Sequence, residues 1–197
     1  MCIIVTIERG AVTPSAYDTL RACSLCNSDS WSFIFTDSKG RDVVKKKLGL
    51  MDKKGFDKIL KANQTSPVVC HYRIATGSDV NLLNQHPFKV GNINIFHNGI
   101  LFNSDSKFSD TMILCNSLKV IDKWSIMLLQ KMSETNFDKF CLYKGGKIVR
   151  IGKYETGEDR GFYFSNNNYL FYKNGSNIKD LLRGEMLNFK DYEEIEL

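Results

Sequence analysis

Two short apolar runs do most to limit what this chain can fold into. Residues 2–7 read CIIVTI and residues 67–72 read PVVCHY, both rich in β-branched side chains. Runs of this length without polar alternation fit strands buried on both faces. Such strands need cover above and below, so the chain must stack layers around them.

The rest of the pattern supplies that cover. A helix is expected from Pro14-Ser15 to about Asn27. A hairpin follows, with Trp31–Phe35, the turn Asp37–Gly40, and Arg41–Val44. Asp52–Ala62 has helical character, with Phe56, Ile59 and Leu60 on one face. Residues 73–91 read as a loop rich in Gly, Asn and Asp. Ile93–Phe96 reads as a strand that stops at Asn98-Gly99. Ser109-Asp110-Thr111 opens a helix to about Leu118, and a second helix fits Lys123–Met132. Phe140–Tyr143 and Lys147–Ile151 flank the turn Lys144–Gly146 as another hairpin. Phe162–Phe164 and Tyr169–Tyr172 read as short strands around an Asn-rich turn. Ile178–Leu182 reads as a helical turn, and residues 188–197, ending DYEEIEL, as a loosely held acidic tail. The expectation is one domain over residues 1–197, of α+β class, with mostly antiparallel sheets.

Composition narrows the setting. At 43% hydrophobic and 25% charged residues the balance is that of a globular domain. No apolar run reaches the length of a membrane span. The N-terminus lacks a secretory leader, so the expected location is the cytoplasm, without membrane partners. The sequons at Asn63 and Asn174 then carry no meaning. Six cysteines in such a setting are expected as free thiols. Cys23-Ser-Leu-Cys26 has CxxC spacing but no second pair, and reads as ordinary thiols on a helix. Net charge is +5, with Lys45, Lys46, Lys47, Lys53, Lys54, Lys58 and Lys61 contributing. These read as a solvated helix face. Nucleic acid is the weaker reading, because no aromatics are interleaved with the lysines and no recognition motif appears.

Four clusters fall at strand ends or helix starts, where chemistry is usually presented. They are Cys2, His71–Gly77, the pair Asn84–Phe88 with Phe96–Leu101, and Ser109–Thr111. Singly each has a plain structural explanation. Arg73 fits a surface ion pair, Asn98-Gly99 a turn, and Asp110 a helix cap. His71, His86 and His97 read as structural histidines, and their spacing is no zinc pattern.

Together the stretches MC, HYRIAT, NQHPF, HNGIL and SDT, in this order, resemble class II glutamine amidotransferase (glutaminase) domains of the N-terminal nucleophile hydrolases. The motifs cover residues 1 to about 120. The opening MCIIV and the length look most like short stand-alone bacteriophage members, which would place the protein in a host cytoplasm. The resemblance implies a four-layer αββα sandwich and hydrolysis of the glutamine side-chain amide, without cofactor or metal. It implies that Cys2 is the nucleophile once Met1 is removed, with its own α-amine as base. Asn98 and Gly99 would form the oxyanion hole. Arg73 would hold the substrate carboxylate, Asp110 its ammonium group, and Thr76 a further contact. Ile3, Gly77 and Met112 stand where the family commonly has Gly, His and Glu, and DSWSF replaces a glycine-containing stretch. At this length no amide-accepting synthase domain is expected, so ammonia would be released or passed to a partner enzyme in trans. The alternative is a weak or inactive glutaminase-fold module binding a host protein or nucleic acid.

Overall fold

The computed structural model describes residues 2–101, 107–121, 126–174 and 195–196. At its centre runs β1 (Ile3–Ile7), buried along its whole length. β4 (Val68–Arg73), also fully buried, flanks it on one side and β10 (Phe162–Phe164) on the other. Beyond β4 lie β2 (Ser30–Thr36) and its hairpin partner β3 (Asp42–Leu48). With β9 (Glu155–Thr156) and β11 (Ile195–Glu196) at the edges, the order is β11-β3-β2-β4-β1-β10-β9. A second sheet takes β5 (Phe88–Val90), β6 (Ile93–Asn98), β7 (Lys139–Lys144) and β8 (Lys147–Ile151) in chain order. All these pairings are antiparallel.

Successive strand residues point to opposite faces, and that alternation builds the layers. Ile3, Val5 and Ile7 join Leu20 of α1 (Ala16–Cys26) and Phe56 and Ile59 of α2 (Lys53–Asn63). Ile4, Ile34 and Val69 turn the other way and meet Phe96, Cys141 and Tyr143 between the sheets. On the far side of the second sheet, Ile95, Phe140 and Leu142 pack on Leu114 and Leu118 of α3 (Asp110–Lys119) and Leu129 of α4 (Ile126–Asn136). Three apolar clusters therefore separate four layers, which is the expected αββα sandwich. Full burial of each such side chain contributes roughly 1.5–3 kcal/mol.

Several expectations need correction. Residues 73–91 are not all loop, because Phe88–Val90 pairs with β6. Tyr169–Tyr172 is not a strand. Tyr169 stacks on Phe164 at 4.2 Å, and the Leu170 N–H donates to Asn167 O at 3.0 Å, which starts the short helix α5 (Leu170–Asn174). β3 runs on to Leu48, so Lys45–Lys47 lie on a strand rather than a helix face. Lys46 is buried and donates to the carbonyls of Gln85 and Pro87 at 2.6 and 3.2 Å. The exposed lysines of α2 are Lys53, Lys54 and Lys61.

The helix expected at Lys123–Met132 is α4, whose described part extends to Asn136. The turn expected at Ile178–Leu182 lies outside the described residues. Of the acidic end, Ile195–Glu196 is described and pairs with Lys46 and Lys45 on the β3 edge.

Candidate functional site

The antiparallel register of β1 and β4 sets Ile3 opposite Tyr72. The start of β1 therefore lies beside the end of β4. The end of β6 and the start of α3 close in from the second sheet, and the four meet around a small cavity of about 130 Å3. Its lining includes Cys2, Arg73, Thr76, Gly99 and Asp110, five of the six residues expected to act together. Asn98 lies beside it, on the strand face directed toward the first sheet.

Cys2 is half-buried, and its thiol donates weakly to Ile74 O at 3.8 Å. Burial pushes the thiol pKa up. Arg73 offsets part of that rise, while Asp110 adds to it. The sulfur is therefore a thiol that needs a base, not a preformed thiolate. The Cys2 carbonyl is held by Asn166 Nδ2 at 2.8 Å. Ile3 is fully buried and packs with the α1 and α2 side chains. It faces away from the cavity, so its bulk does not narrow the space around the thiol.

Arg73 ends β4 and is 3% exposed. Its Nη2 donates to Ser78 Oγ at 2.7 Å, whereas Nη1 is buried without a hydrogen-bond partner among the described residues. Burial lowers its pKa, against the pull of Cys2, Asp29 and Asp110. The turn after it is braced by Asp29, whose carboxylate accepts from the Ala75 N–H at 2.7 Å. Thr76 stands exposed on the rim.

Asp110 opens α3 behind the N-cap Ser109, whose hydroxyl accepts from the Met112 N–H at 3.3 Å. The Asp110 carboxylate accepts from the Leu101 N–H at 2.9 Å and from the Thr111 N–H and hydroxyl at 2.5 and 3.1 Å. Its direction is thus fixed while the residue stays half-exposed in the cavity wall.

Gly99 is required by space. A Cβ there would overlap Asp138 Oδ1 and lie 2.7 Å from His97 Nε2. Asn98 donates through Nδ2 to Ser165 Oγ at 2.8 Å, and its Oδ1 is buried without a partner among the described residues.

All three histidines are buried, and His86 and His97 also line the cavity. His71 and His86 stack with centroids 4.1 Å apart. Burial holds both neutral, lowering His71 to about 3 and His86 well below its ordinary value. His97 joins Thr111 Oγ1 at 2.9 Å to Asp138 Oδ1 at 3.2 Å. In the CxxC pair, burial pushes Cys26 to about 11 and Cys23 well up, opposite to the lowering that marks reactive thiols.

Sequence reasoning missed Ser165, Asn166, Asp138, Asp29 and Ser78. Ser165 and Asn166 sat in what read only as an Asn-rich turn. Asp138 lies between α4 and β7 with no pattern around it.

No family model matches the sequence, and no curated protein matches it. Solved structures do match in fold. One is a glutamine phosphoribosylpyrophosphate amidotransferase from B. subtilis, complexed with ADP and GMP. Its TM-score is 0.55 at 13% identity, covering 86% of this chain and 43% of that one. Another, described as the allosteric regulatory enzyme of purine biosynthesis, has a TM-score of 0.56 at 16% identity and covers 83% and 41%. The chain therefore shares the fold of an amidotransferase and spans less than half the length of either structure.

Proposed function

We propose that this chain hydrolyses the side-chain amide of free glutamine to glutamate and ammonia, with Cys2 as nucleophile. The carrying observation is the single small cavity that holds a thiol, a cation and an anion. Arg73 offers it a buried guanidinium nitrogen with no partner among the described residues. A substrate carboxylate satisfies that donor in a charge-assisted bond, and Asp110 faces the same space to receive an ammonium group. One cation and one anion select a free amino acid over a peptide amide.

The reaction needs Cys2 to be the first residue. With Met1 removed, its α-amine has an ordinary pKa of roughly 7.7–8.0 and takes the thiol proton, directly or through water. Sulfur bonds to the amide carbon, and the carbonyl electrons move to oxygen. Gly99 N–H and the Asn98 amide stabilise that oxyanion. Collapse breaks the C–N bond, ammonia leaves with the proton held by the amine, and water then hydrolyses the thioester. Ammonia is released or passed to a partner enzyme.

A glutaminase assay on wild type and Cys2→Ala, with intact mass measured on both, tests this. Ammonia release by the wild type alone, with Met1 absent, is the expected result. Met1 still attached to an active protein would sink the mechanism. Equal activity in both would remove Cys2 from it.

A further inference from the structure

We propose that Ser165 is a positioning residue that decides which end of the Asn98 carboxamide is left open for the substrate. Ser165 follows β10 and is 1% exposed. Its N–H donates to Ile4 O at 2.9 Å, and its Oγ accepts from the Ile4 N–H at 2.9 Å. The hydroxyl is thereby pinned to the strand that carries Cys2. The same oxygen meets the Asn98 side chain at 2.8 Å. Ser165 thus hydrogen-bonds to both β1 and Asn98.

A serine hydroxyl has one proton to give and two lone pairs. With Nδ2 donating to it, both lone pairs are filled, and among the described residues its proton has no acceptor and the buried Asn98 Oδ1 no partner. The atom left open is then an acceptor, which repels an oxyanion. The two ends of a carboxamide fill nearly the same space. Half a turn about the Cβ–Cγ bond sets Oδ1 against Ser165, which donates its proton to it. The bond to Ile4 is kept. The open atom becomes Nδ2, whose two hydrogens await an acceptor, and an oxyanion forming at the cavity supplies one. A donor held in place before reaction is what oxyanion stabilisation needs. Ser165 works in this way because the Ile4 N–H fills one lone pair and leaves its proton to go to Asn98.

The inference rests on the glutaminase reading for the use of the open donor, but not for its orientation. Neutron diffraction on deuterium-exchanged crystals of the wild type reads that orientation directly. The Ser165 deuteron should point at Asn98 Oδ1. A deuteron of Nδ2 pointing at Ser165 Oγ would overturn the inference. Kinetics read the consequence. Ser165→Ala should lower kcat by about tenfold to hundredfold, less than the ~10²–10³ of deleting a donor, with KM little changed. Ser165→Thr, which keeps a hydroxyl, should recover most of it. In an Asn98→Ala background, Ser165→Ala should add nothing further. Losses that multiply instead would make Ser165 a merely structural residue and overturn its action through Asn98. If the wild type has no Cys2-dependent amidase activity, the proposed function falls, and the deuteron position alone still decides the role of Ser165.

Discussion

His97 Nε2 lies 3.2 Å from Asp138 Oδ1, with side chains 2% and 1% exposed, and the pair stands directly against Gly99. The Asn98-Gly99 turn is therefore backed by a buried polar wall rather than by solvent. Gly99→Ala forces the wall or the turn to move. Overpacking of this kind costs about 1–3 kcal/mol. We expect a lower melting temperature and a fall in kcat of ~10² from the displaced N–H. Thermal unfolding and steady-state kinetics on the same sample check both.

Arg73 tests the substrate headgroup. Arg73→Lys keeps the charge but loses the planar fork. A hydrogen bond to a charged group contributes ~1.5–3 kcal/mol, so KM for glutamine should rise about tenfold to hundredfold. A glutamine analogue without the α-carboxylate should show a much smaller difference between the two proteins. Equal losses on both substrates would remove Arg73 from carboxylate binding.

Two buried histidines, His71 and His86, set an acid limit on stability. In the unfolded chain they take up protons near their ordinary value of about 6.5, whereas His71 folded does so only near 3, and His86 is also held low. Below about 6.5 the unfolded state binds more protons, so stability falls as the pH is lowered. The slope approaches ~1.4 kcal/mol per unit for each histidine. Urea midpoints should drop between pH 7 and pH 5, before most carboxylates titrate. His71→Phe should flatten the decline. A midpoint constant across that range would contradict the neutral, buried state.

The lysine run separates by burial. Lys46→Met removes a buried donor from the Gln85 and Pro87 carbonyls and should destabilise the fold by ~1–3 kcal/mol. Lys47 makes a partly exposed ion pair with Asp52 at 3.0 Å. Its removal should change stability by less than ~1 kcal/mol. Chemical denaturation of both variants makes the comparison.

That contrast shows where the sequence was and was not legible. β1 and β4 could be read because unbroken β-branched runs admit few other structures. The Ser109 cap could be read because its hydroxyl does a local job. Lys46 could not, because what buries it is a loop some forty positions away. Tyr169–Tyr172 has the aromatic content of a strand, but Tyr169 is drawn into a stack on Phe164, and a helical turn follows. The cavity residues Cys2, Arg73, Thr76, Gly99 and Asp110 were legible through a shared motif order. Ser165 and Asn166 were not, because their partners Asn98 and Cys2 become neighbours only when the strands pair.

The alternation along β1 has a consequence for how this site can vary. Odd positions Ile3, Val5 and Ile7 fill one core, and Ile4 fills the next. Position 2 is thus locked to the parity of the whole strand. Inserting or deleting one residue between Cys2 and Ile7 would send the side chains on one side of the change to the opposite face. Drift in length here is therefore closed off by packing alone, whether or not any chemistry is selected. Residues added ahead of Cys2 leave that parity intact. They leave the place of the thiol in the packing unchanged, and under the proposed mechanism they would withhold the α-amine that serves as base.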